Sequence, residues 1–556
     1  MASRKPMASL ATHEVTNQPP PLEDYNLYEL DPVIQQALAR EGAGWAADQA
    51  RALGGELGST QVIEWGRLAN THLPELRTFD RFGHRIDEVE FHPAYHELMA
   101  LAMRHGLPTV AWTAPQPGGH VVHTALTYLF IQIEQGVACP MAMTYAAIPP
   151  LRAQPEVAAE WEPRILAGTY DPRCIPAPEK AGVTIGMAMT EKQGGSDVRT
   201  NSTRAVALDG GGPGAAYELT GHKWFCSAPM CDGFLTLANT DKGQSCFFVP
   251  RWRPDGTRNP FLIQRLKDKL GNRSNASSEV EYHGTWAQMV GEEGRGVRTI
   301  LDMVQHTRLD TSVAPAGMMR QALLQAAHHT AHRSAFANLL FRQPLMRNVL
   351  ADLALEVEAA TTLVMRIARA FDEAAGDESA RALARIGIAI AKFWNNKRAP
   401  GQIYEAMECL GGAGYVEESP LPRLFRESPL NSIWEGSGNV ICLDVLRAMR
   451  REPLTTAVFL EEVTRARGAD RRLDGAIERL KALLGGTDDQ ELRARQLTEQ
   501  MALTLQGSLL VQHAPAAVAD AFCASRLDPE RGFSYGTLPP DVQFDAILQR
   551  ALPHLG

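Results

Sequence analysis

The chain contains no run of about 18 uncharged apolar residues, so no segment reads as a membrane-spanning helix. Its first residues carry Arg4 and Lys5 but no apolar core of the kind a secretory leader needs, and a cytoplasmic location is expected. Eight cysteines, at 139, 174, 226, 231, 246, 409, 442 and 523, form no Cys-x-x-Cys pair. That scatter fits buried thiols in a reducing compartment better than disulfides or a structural zinc site. Excess positive charge is also missing. With a formal net charge of −9, the chain has no general attraction for nucleic acid or an anionic membrane, and either role would need a local basic patch. No internal repeat is visible.

What remains is an ordinary globular composition, 45% hydrophobic and 21% charged, over 556 residues. That length suits about three or four domains. The segment Asn17-Gln18-Pro19-Pro20-Pro21 reads as part of an extended arm over the surface. From Asp31 to Glu179 the pattern is helical, beginning with an N-cap and a first-turn proline at Asp31-Pro32. Near Val183 the period changes. Tyr217–Thr220, Phe234–Ala238, Ser245–Pro250 and Glu279–Tyr282 are short apolar or alternating runs, and Gly210–Gly214 looks like a hairpin connection. After Gly296 helical stripes return: Met346, Val349, Leu350, Leu353, Val357, Val364, Ile367 and Phe371, then Leu383–Phe393 and Ile403–Leu410. The expected fold is α+β and mostly α. An N-terminal helical domain with its arm (1–182) precedes a small β-domain (183–290), a helical bundle of about four members (291–450) and an extra helical domain (451–556).

Three stretches carry candidate chemistry. In Asn431-Ser432-Ile433-Trp434-Glu435-Gly436-Ser437-Gly438-Asn439, one carboxylate lies between an aromatic and a Gly-Ser-Gly turn. Such a turn permits close backbone approach to a ligand, and Ile433 and Trp434 can desolvate the acid, which suits a general base. Alone, the stretch is equally a loop with a solvated Glu. In Met187–Val198, Thr190 and Ser196 offer hydroxyls and Gly194-Gly195 backbone N–H groups; the alternative is a plain turn. In Gly221–Ser227, aromatic surface stands beside a hydroxyl, as stacking on a ring requires; the alternative is a buried strand. His328 and His332 lie one helical turn apart, but no third ligand has suitable spacing, so no metal is expected.

The order and content of these motifs resemble the acyl-CoA dehydrogenase family of flavoproteins. The family's Thr-Glu-x-x-x-Gly-Ser-Asp fingerprint is matched by Thr190, Glu191, Gly195, Ser196 and Asp197. Its Gly-x-Lys-x-Trp-Ile-Thr strand is matched by Gly221, Lys223, Phe225, Cys226 and Ser227, with changes at the last three. Its Arg-x-x-Phe element on a long helix is Arg333 and Phe336, with Ala337 where Gly is usual. Gly411, Gly412, Gly414 and Tyr415 match its Gly-Gly-x-Gly-Tyr turn, and Glu435, Gly436 and Ser437 its Glu-Gly-Thr/Ser turn. The resemblance implies FAD between the β-domain and the bundle. Met187, Met189, Thr190, Gly195 and Ser196 would lie along the flavin, with Phe225 and Ser227 on its ring and edge. Ile433, Gly436, Ser437 and Asn439 would be further contacts. Arg333, Gly411 and Gly412 would reach the pyrophosphate end shared with a neighbouring subunit, so a homotetramer, or at least a dimer, is implied. Glu435 would be the base that removes the α-proton of an acyl-CoA thioester.

The match is closer to the AidB-like branch of the family, through Met189–Val198, Arg265–Ala276 and Asn431–Asn439. Lys192 stands where proline is common in other members, and the chain runs about a hundred residues past the usual family end. That branch is associated with the response to DNA alkylation and with DNA binding through the C-terminal extension. From Arg447 onward acidic and basic residues nearly balance. Yet Arg465, Arg467, Arg471, Arg472, Arg479 and Lys481 cluster, either as a basic face for nonspecific double-stranded DNA or as a solvated face with internal ion pairs. Two functions are therefore in view: an FAD-dependent acyl-CoA dehydrogenase, and a flavin-containing DNA-associated protein.

Overall fold

The computed structural model describes residues 6–486, 489–530 and 532–552. The N-terminal segment is held to the surface through its backbone. The Arg333 guanidinium donates to the Asn17 carbonyl (2.8 Å) and the His328 ring to that of Pro20 (2.8 Å). The His332 ring likewise donates Nδ1–H to the His328 carbonyl (2.8 Å). Asp31 caps the helix Pro32–Arg40 by accepting from the N–H groups of Val33 and Ile34. Its other oxygen takes the Tyr128 hydroxyl at 2.6 Å and pairs with Arg320. One cap thus ties the first helix to α1 (Gly119–Phe130), which is buried on every side. A feature absent from the helical expectation lies in this region: an antiparallel hairpin of β1 (Glu75–Phe79) and β2 (Arg85–Glu90). Alternation over five or six residues is the signal that marks it, and a helical neighbourhood hides it.

The sheet consists of β3 (Ile185–Ala188), β4 (Arg204–Ala207), β5 (Ala216–Ser227), β6 (Gly233–Thr240), β7 (Gly243–Pro250), β8 (Phe261–Leu266) and β9 (Ser277–Val290). The hydrogen-bonded path β6-β4-β5-β9-β7 closes on itself through an antiparallel β6–β7 pair, and β8 adds to β9. β3 and β4 occupy successive stretches of one edge of β6, both parallel to it. Between them runs the loop that carries the Thr190–Asp197 motif.

The helical bundle is formed by α2 (Gly296–His332), α3 (Pro344–Glu373), α4 (Glu378–Glu408) and α5 (Gly438–Arg451). The stripes at 383–393 and 403–410 belong largely to one helix, because Pro400 lies inside α4 without ending it. α2 ends at His332, so Arg333 and Phe336 stand in a tight turn beyond the helix, where Phe336 and Ala337 have positive φ. α6 (Pro453–Thr464), α7 (Arg471–Gly485) and α8 (Ala494–His513) share one continuous apolar core with the bundle. Buried ion pairs reinforce that junction: Arg366 with Glu462, Arg526 with Asp352 and Glu356, and Arg550 with Glu358.

The strongest polar link in the sheet is the fully buried pair Glu191–Lys223 at 2.9 Å. One Glu191 oxygen also accepts the Thr203 N–H and hydroxyl, and the other accepts from Ser202 and the Gln193 amide. Lys223 donates further to the Leu237 carbonyl at 2.8 Å. Burial pushes the Glu191 carboxyl up, but Lys223 and these donors outweigh it and hold the group well below the usual carboxylate range. The pair's stabilisation is therefore present at neutral pH and lost only as strong acid approaches that depressed value. Lys223→Met leaves Glu191 buried without its cation and is expected to cost about 3–5 kcal/mol, read as a lower melting temperature. An unchanged melting curve would show that the neutral donors suffice.

Candidate functional site

Two motif strands meet at the sheet edge. The Trp224 N–H donates to the Thr190 carbonyl (2.8 Å), and the Asn201 amide to that of Met189 (2.9 Å). The Thr190 loop is thereby fixed against β5. Gly194 has φ +134°, and a Cβ on Gly195 would collide with the Thr190 hydroxyl. Small residues are thus required by the loop itself as well as by any ligand. Met187 is buried in β3, whereas Ser196 is exposed. Phe225 is 51% exposed, a large aromatic face left open at the end of a strand, with Ser227 beside it. Three cations crowd its neighbour Trp224: Lys192, Arg265 and Lys267, the last with Nζ 3.1 Å from the ring centroid.

The Glu435 loop joins the core that the sheet shares with the neighbouring helices. Trp434 packs on the sheet's core and donates its indole N–H to Asn431 Oδ1 at 2.8 Å, while Ile433 stands 63% exposed. Cys139 bridges the two parts, with the Ser227 hydroxyl and the Glu435 carboxylate both near its thiol. Glu435 itself has φ +57°, a left-handed conformation that a non-glycine residue rarely adopts. Its Oε2 is buried and has no hydrogen-bond partner among the described residues. Burial raises its carboxyl, and Asp310 adds to that. Thr307, Lys392 and Arg308 work the other way, and the net direction is upward.

Two buried cations hold the loop's backbone. Lys392 Nζ donates to the carbonyls of Asn431 (3.0 Å) and Gly436 (2.8 Å), and Arg308 Nε to that of Glu435 (3.1 Å). Arg308 is in turn paired with Asp444 on α5 at 2.8 Å. Just past the loop, Ser437 opens α5 without a side-chain cap bond. A Cβ on Gly438 would lie 3.3 Å from Lys397 Nζ, and Arg495 bonds the Asn439 side chain. A helix N-terminus flanked by two cations suits a phosphate. The signal for Lys392 in the sequence was a lone charge inside the apolar run Ile386–Phe393. Nothing in the sequence marked Arg308, Lys397 or Arg495.

The remaining predicted contacts lie elsewhere. Asn395 and Gln402 of α4 bond the carbonyls of Ser312 and Met319 of α2, so the two helices run in parallel. Arg333 is then roughly 38 Å along α2 from Arg308, and Gly411 about 28 Å along α4 from Lys392, at the same far end. There Gly411 and Gly412 have open space where a side chain would be, and Tyr415 and Phe336 are exposed. In the C-terminal region most of the basic residues are engaged. Arg465 pairs with Glu461 and Glu462, Arg467 and Lys481 with Glu478, and Arg472 with Asp470 and Asp520; Arg479 bonds the Leu527 carbonyl. Arg471 is exposed at the start of α7.

The half-exposed aromatic, the glycine-bearing loop, the unpartnered carboxylate and the cation-flanked helix N-terminus together fit a flavin dinucleotide. They define the class of the protein: an FAD-dependent oxidoreductase of the acyl-CoA dehydrogenase family, to which the chain belongs. Residues 186–285 match that family's middle domain, and 294–450 its C-terminal domain. Within the family the chain is a member of the AidB-like branch, since residues 17–172 match the "Adaptive response protein AidB N-terminal domain". It is 44% identical over 540 residues to the "Putative acyl-CoA dehydrogenase AidB" of Escherichia coli (strain K12), covering 97% of this chain and 98% of that protein. It is 29% identical over 551 residues to acyl-CoA dehydrogenase family member 11 of Caenorhabditis elegans, covering 92% and 87%. The crystal structure of Caenorhabditis elegans ACDH-11 in complex with C11-CoA superposes with a TM-score of 0.85 at 25% identity, over 99% of this chain and 98% of that one. An acyl-CoA dehydrogenase from Bacillus anthracis complexed with FAD shares the fold, with a TM-score of 0.63 at 18% identity over 78% and 81%. No helix among the described residues is long and apolar enough to cross a membrane.

Proposed function

We propose that the chain catalyses α,β-dehydrogenation of an acyl-CoA thioester with Glu435 as the base. The observation that carries this reading is the buried Glu435 Oε2, without a hydrogen-bond partner among the described residues, on a loop whose carboxylate lies near the Cys139 thiol that also meets the Ser227 hydroxyl. A buried polar atom left unpaired is costly unless a ligand or a reaction uses it. When bound, FAD supplies the hydride acceptor. Met187, Met189, Thr190, Gly195 and Ser196 line its flavin side, Phe225 and Ser227 cover the ring and its edge, and Ile433, Gly436, Ser437 and Asn439 contact it from the loop. Glu435 takes the α-proton, and its own backbone N–H polarises the thioester carbonyl. Trp434 keeps water from the carboxylate. The complex of Caenorhabditis elegans ACDH-11 with C11-CoA supports a medium-length acyl group as the first substrate class to try.

Glu435→Gln should lower the rate of flavin reduction by a panel of C4 to C12 acyl-CoAs by about 10²–10⁴-fold with FAD retained. Because burial raises the carboxyl of Glu435, kcat/KM should fall as pH drops through a value above the ordinary glutamate range, where the base becomes protonated. Undiminished acyl-CoA oxidation by the Gln variant would refute the role.

The separation of Arg333, Gly411 and Gly412 from Glu435, about 30–40 Å along α2 and α4, is more than one dinucleotide can span. In our reading each cofactor is shared: one copy offers the sheet and the Glu435 loop, and a second offers Arg333 and the glycine turn to the pyrophosphate. The assembly is a homotetramer built from such dimers. Arg333→Ala should release FAD on dilution while leaving the reduction rate of the FAD-loaded fraction near that of the unaltered protein. A monomer of full FAD content in light scattering is the result that contradicts sharing.

A second reading, nonspecific binding of double-stranded DNA by residues 451–556 in a response to DNA alkylation, draws support from the AidB-like match and from exposed Arg465, Arg467, Arg471 and Arg479. Their partners Glu461 and Glu478 are surface carboxylates, and exposed ion pairs are weak enough to exchange for phosphates. Arg471→Glu combined with Arg467→Glu should weaken the gel shift of a duplex and flatten its salt dependence. A salt-independent shift, or one unaffected by the reversal, would place any binding elsewhere.

A further inference from the structure

We infer that Lys392 is a positioning residue for the base: it clamps the loop on both sides of Glu435 and holds the carboxylate in its left-handed backbone conformation. This rests on the reading of Glu435 as the base. The geometry is specific. Lys392 is 1% exposed in the middle of α4, surrounded by Ile386, Ile388, Ile390 and Phe393 along an otherwise apolar run. A buried ammonium of this kind normally finds a carboxylate. Its hydrogen bonds here go to two main-chain oxygens, those of Asn431 and Gly436. These stand on either side of the one residue in the loop with φ +57°. Holding a non-glycine residue there costs on the order of 1 kcal/mol or more, and such a conformation persists only where neighbours over-determine it. Arg308, bonded to the carbonyl between the two, completes a three-point hold, but Asp444 on α5 already balances its charge.

The ammonium also sits beside the carboxylate it positions. The charged and titratable groups that face Glu435 are Arg308 and Asp310 on α2, Lys392 on α4, and Cys139 on the helix Ala138–Ala146, with the neutral Thr307 also in contact. Of the two cations, Arg308 is ion-paired with Asp444, whereas Lys392 bonds only main-chain oxygens among the described residues. Burial, then repulsion from Arg308, pushes Lys392 down to about 7. Where it is protonated, its charge favours the ionised base. Removing it should move Glu435 toward the protonated form and loosen its loop, two effects with separate readouts.

The test compares the FAD-containing protein with Lys392→Met, which keeps length and apolar packing, and Lys392→Arg, which keeps the cation. For Met, flavin reduction by saturating acyl-CoA should slow about 10²-fold, the scale of a misplaced reacting group, with KM little changed. The acid limb of kcat/KM should move to higher pH. Arg should restore part of the rate and return the limb toward its original place. Independently of turnover, amide hydrogen exchange at 431–437 should speed at least tenfold in the Met variant, while α4 and the sheet keep their protection. Unchanged exchange at 431–437 overturns the clamp, as does loss of protection spread through the whole bundle, which is what a merely structural lysine would give. If the unaltered protein oxidises none of the acyl-CoAs, the function reading fails, and the exchange measurement still decides the clamp.

Discussion

Pro315 removes one backbone N–H from the middle of α2 and leaves the Thr311 carbonyl without its helical partner. A buried carbonyl cannot be left in that state without cost, and it is satisfied from outside the helix: Asn396 Nδ2 on α4 donates to it at 2.8 Å. The adjacent Asn395 does the same for Ser312 at 3.1 Å. A defect in one helix thus becomes a lock between two. It fixes the register of α2 against α4, and with it the relative placement of Arg308, one turn before Thr311, and Lys392, one turn before Asn396. Those are the two side chains that hold the Glu435 loop. The Glu435 end of the bundle therefore inherits its precision from a polar seam deep in an apolar core.

The same parallel arrangement divides the proposed cofactor contacts. Because α2 and α4 run in one direction and the sheet packs on α2, the far ends of both helices carry Arg333 and the Gly411–Tyr415 turn to one place. Within one copy these two sets stand at opposite ends of the helices. The aromatics Phe336 and Tyr415 are exposed at the far end. The C-terminal helices are built differently. Their apolar faces merge with the bundle core, and buried arginines such as Arg526 and Arg550 meet carboxylates of α3. A region so joined is part of the bundle's stability, whatever surface it offers to DNA.

The division between what could and could not be read in the sequence follows from locality. The sheet runs, the Asp31-Pro32 cap, the stripe of α3 and the glycine-rich turns are patterns of neighbouring residues, and the structure holds them where the periodicities predict. Short alternation in β1 and β2 was masked by the helices around it. The stripes at 383–393 and 403–410 flank Pro400 yet belong largely to one helix, because the cost of an interior proline is offset by packing that no local window contains. The basic run that starts at Arg465 read as a cluster because Glu478 and Asp520, which neutralise part of it, enter from other turns and other helices. Arg308 and Lys392, 84 positions apart, converge only through the α2–α4 register.

The base proposed at Glu435 presents a conflict that the fold resolves by geometry. A carboxylate taken from water resists ionisation, and a base must be ionised; a nearby cation restores the ionised form, but a direct ion pair would tie up the lone pairs that the substrate proton needs. At Glu435 the cations bind the main chain instead of the carboxylate. Lys392 and Arg308 spend their hydrogen bonds on the carbonyls of Asn431, Gly436 and Glu435, so their charge acts on the carboxylate through space while Oε2 stays unpartnered. Asp310, two residues past Arg308 in α2 and hydrogen-bonded to His123 at 3.0 Å, opposes them and raises the carboxyl. Field without contact offsets part of the burial penalty and leaves Oε2 available to a substrate proton.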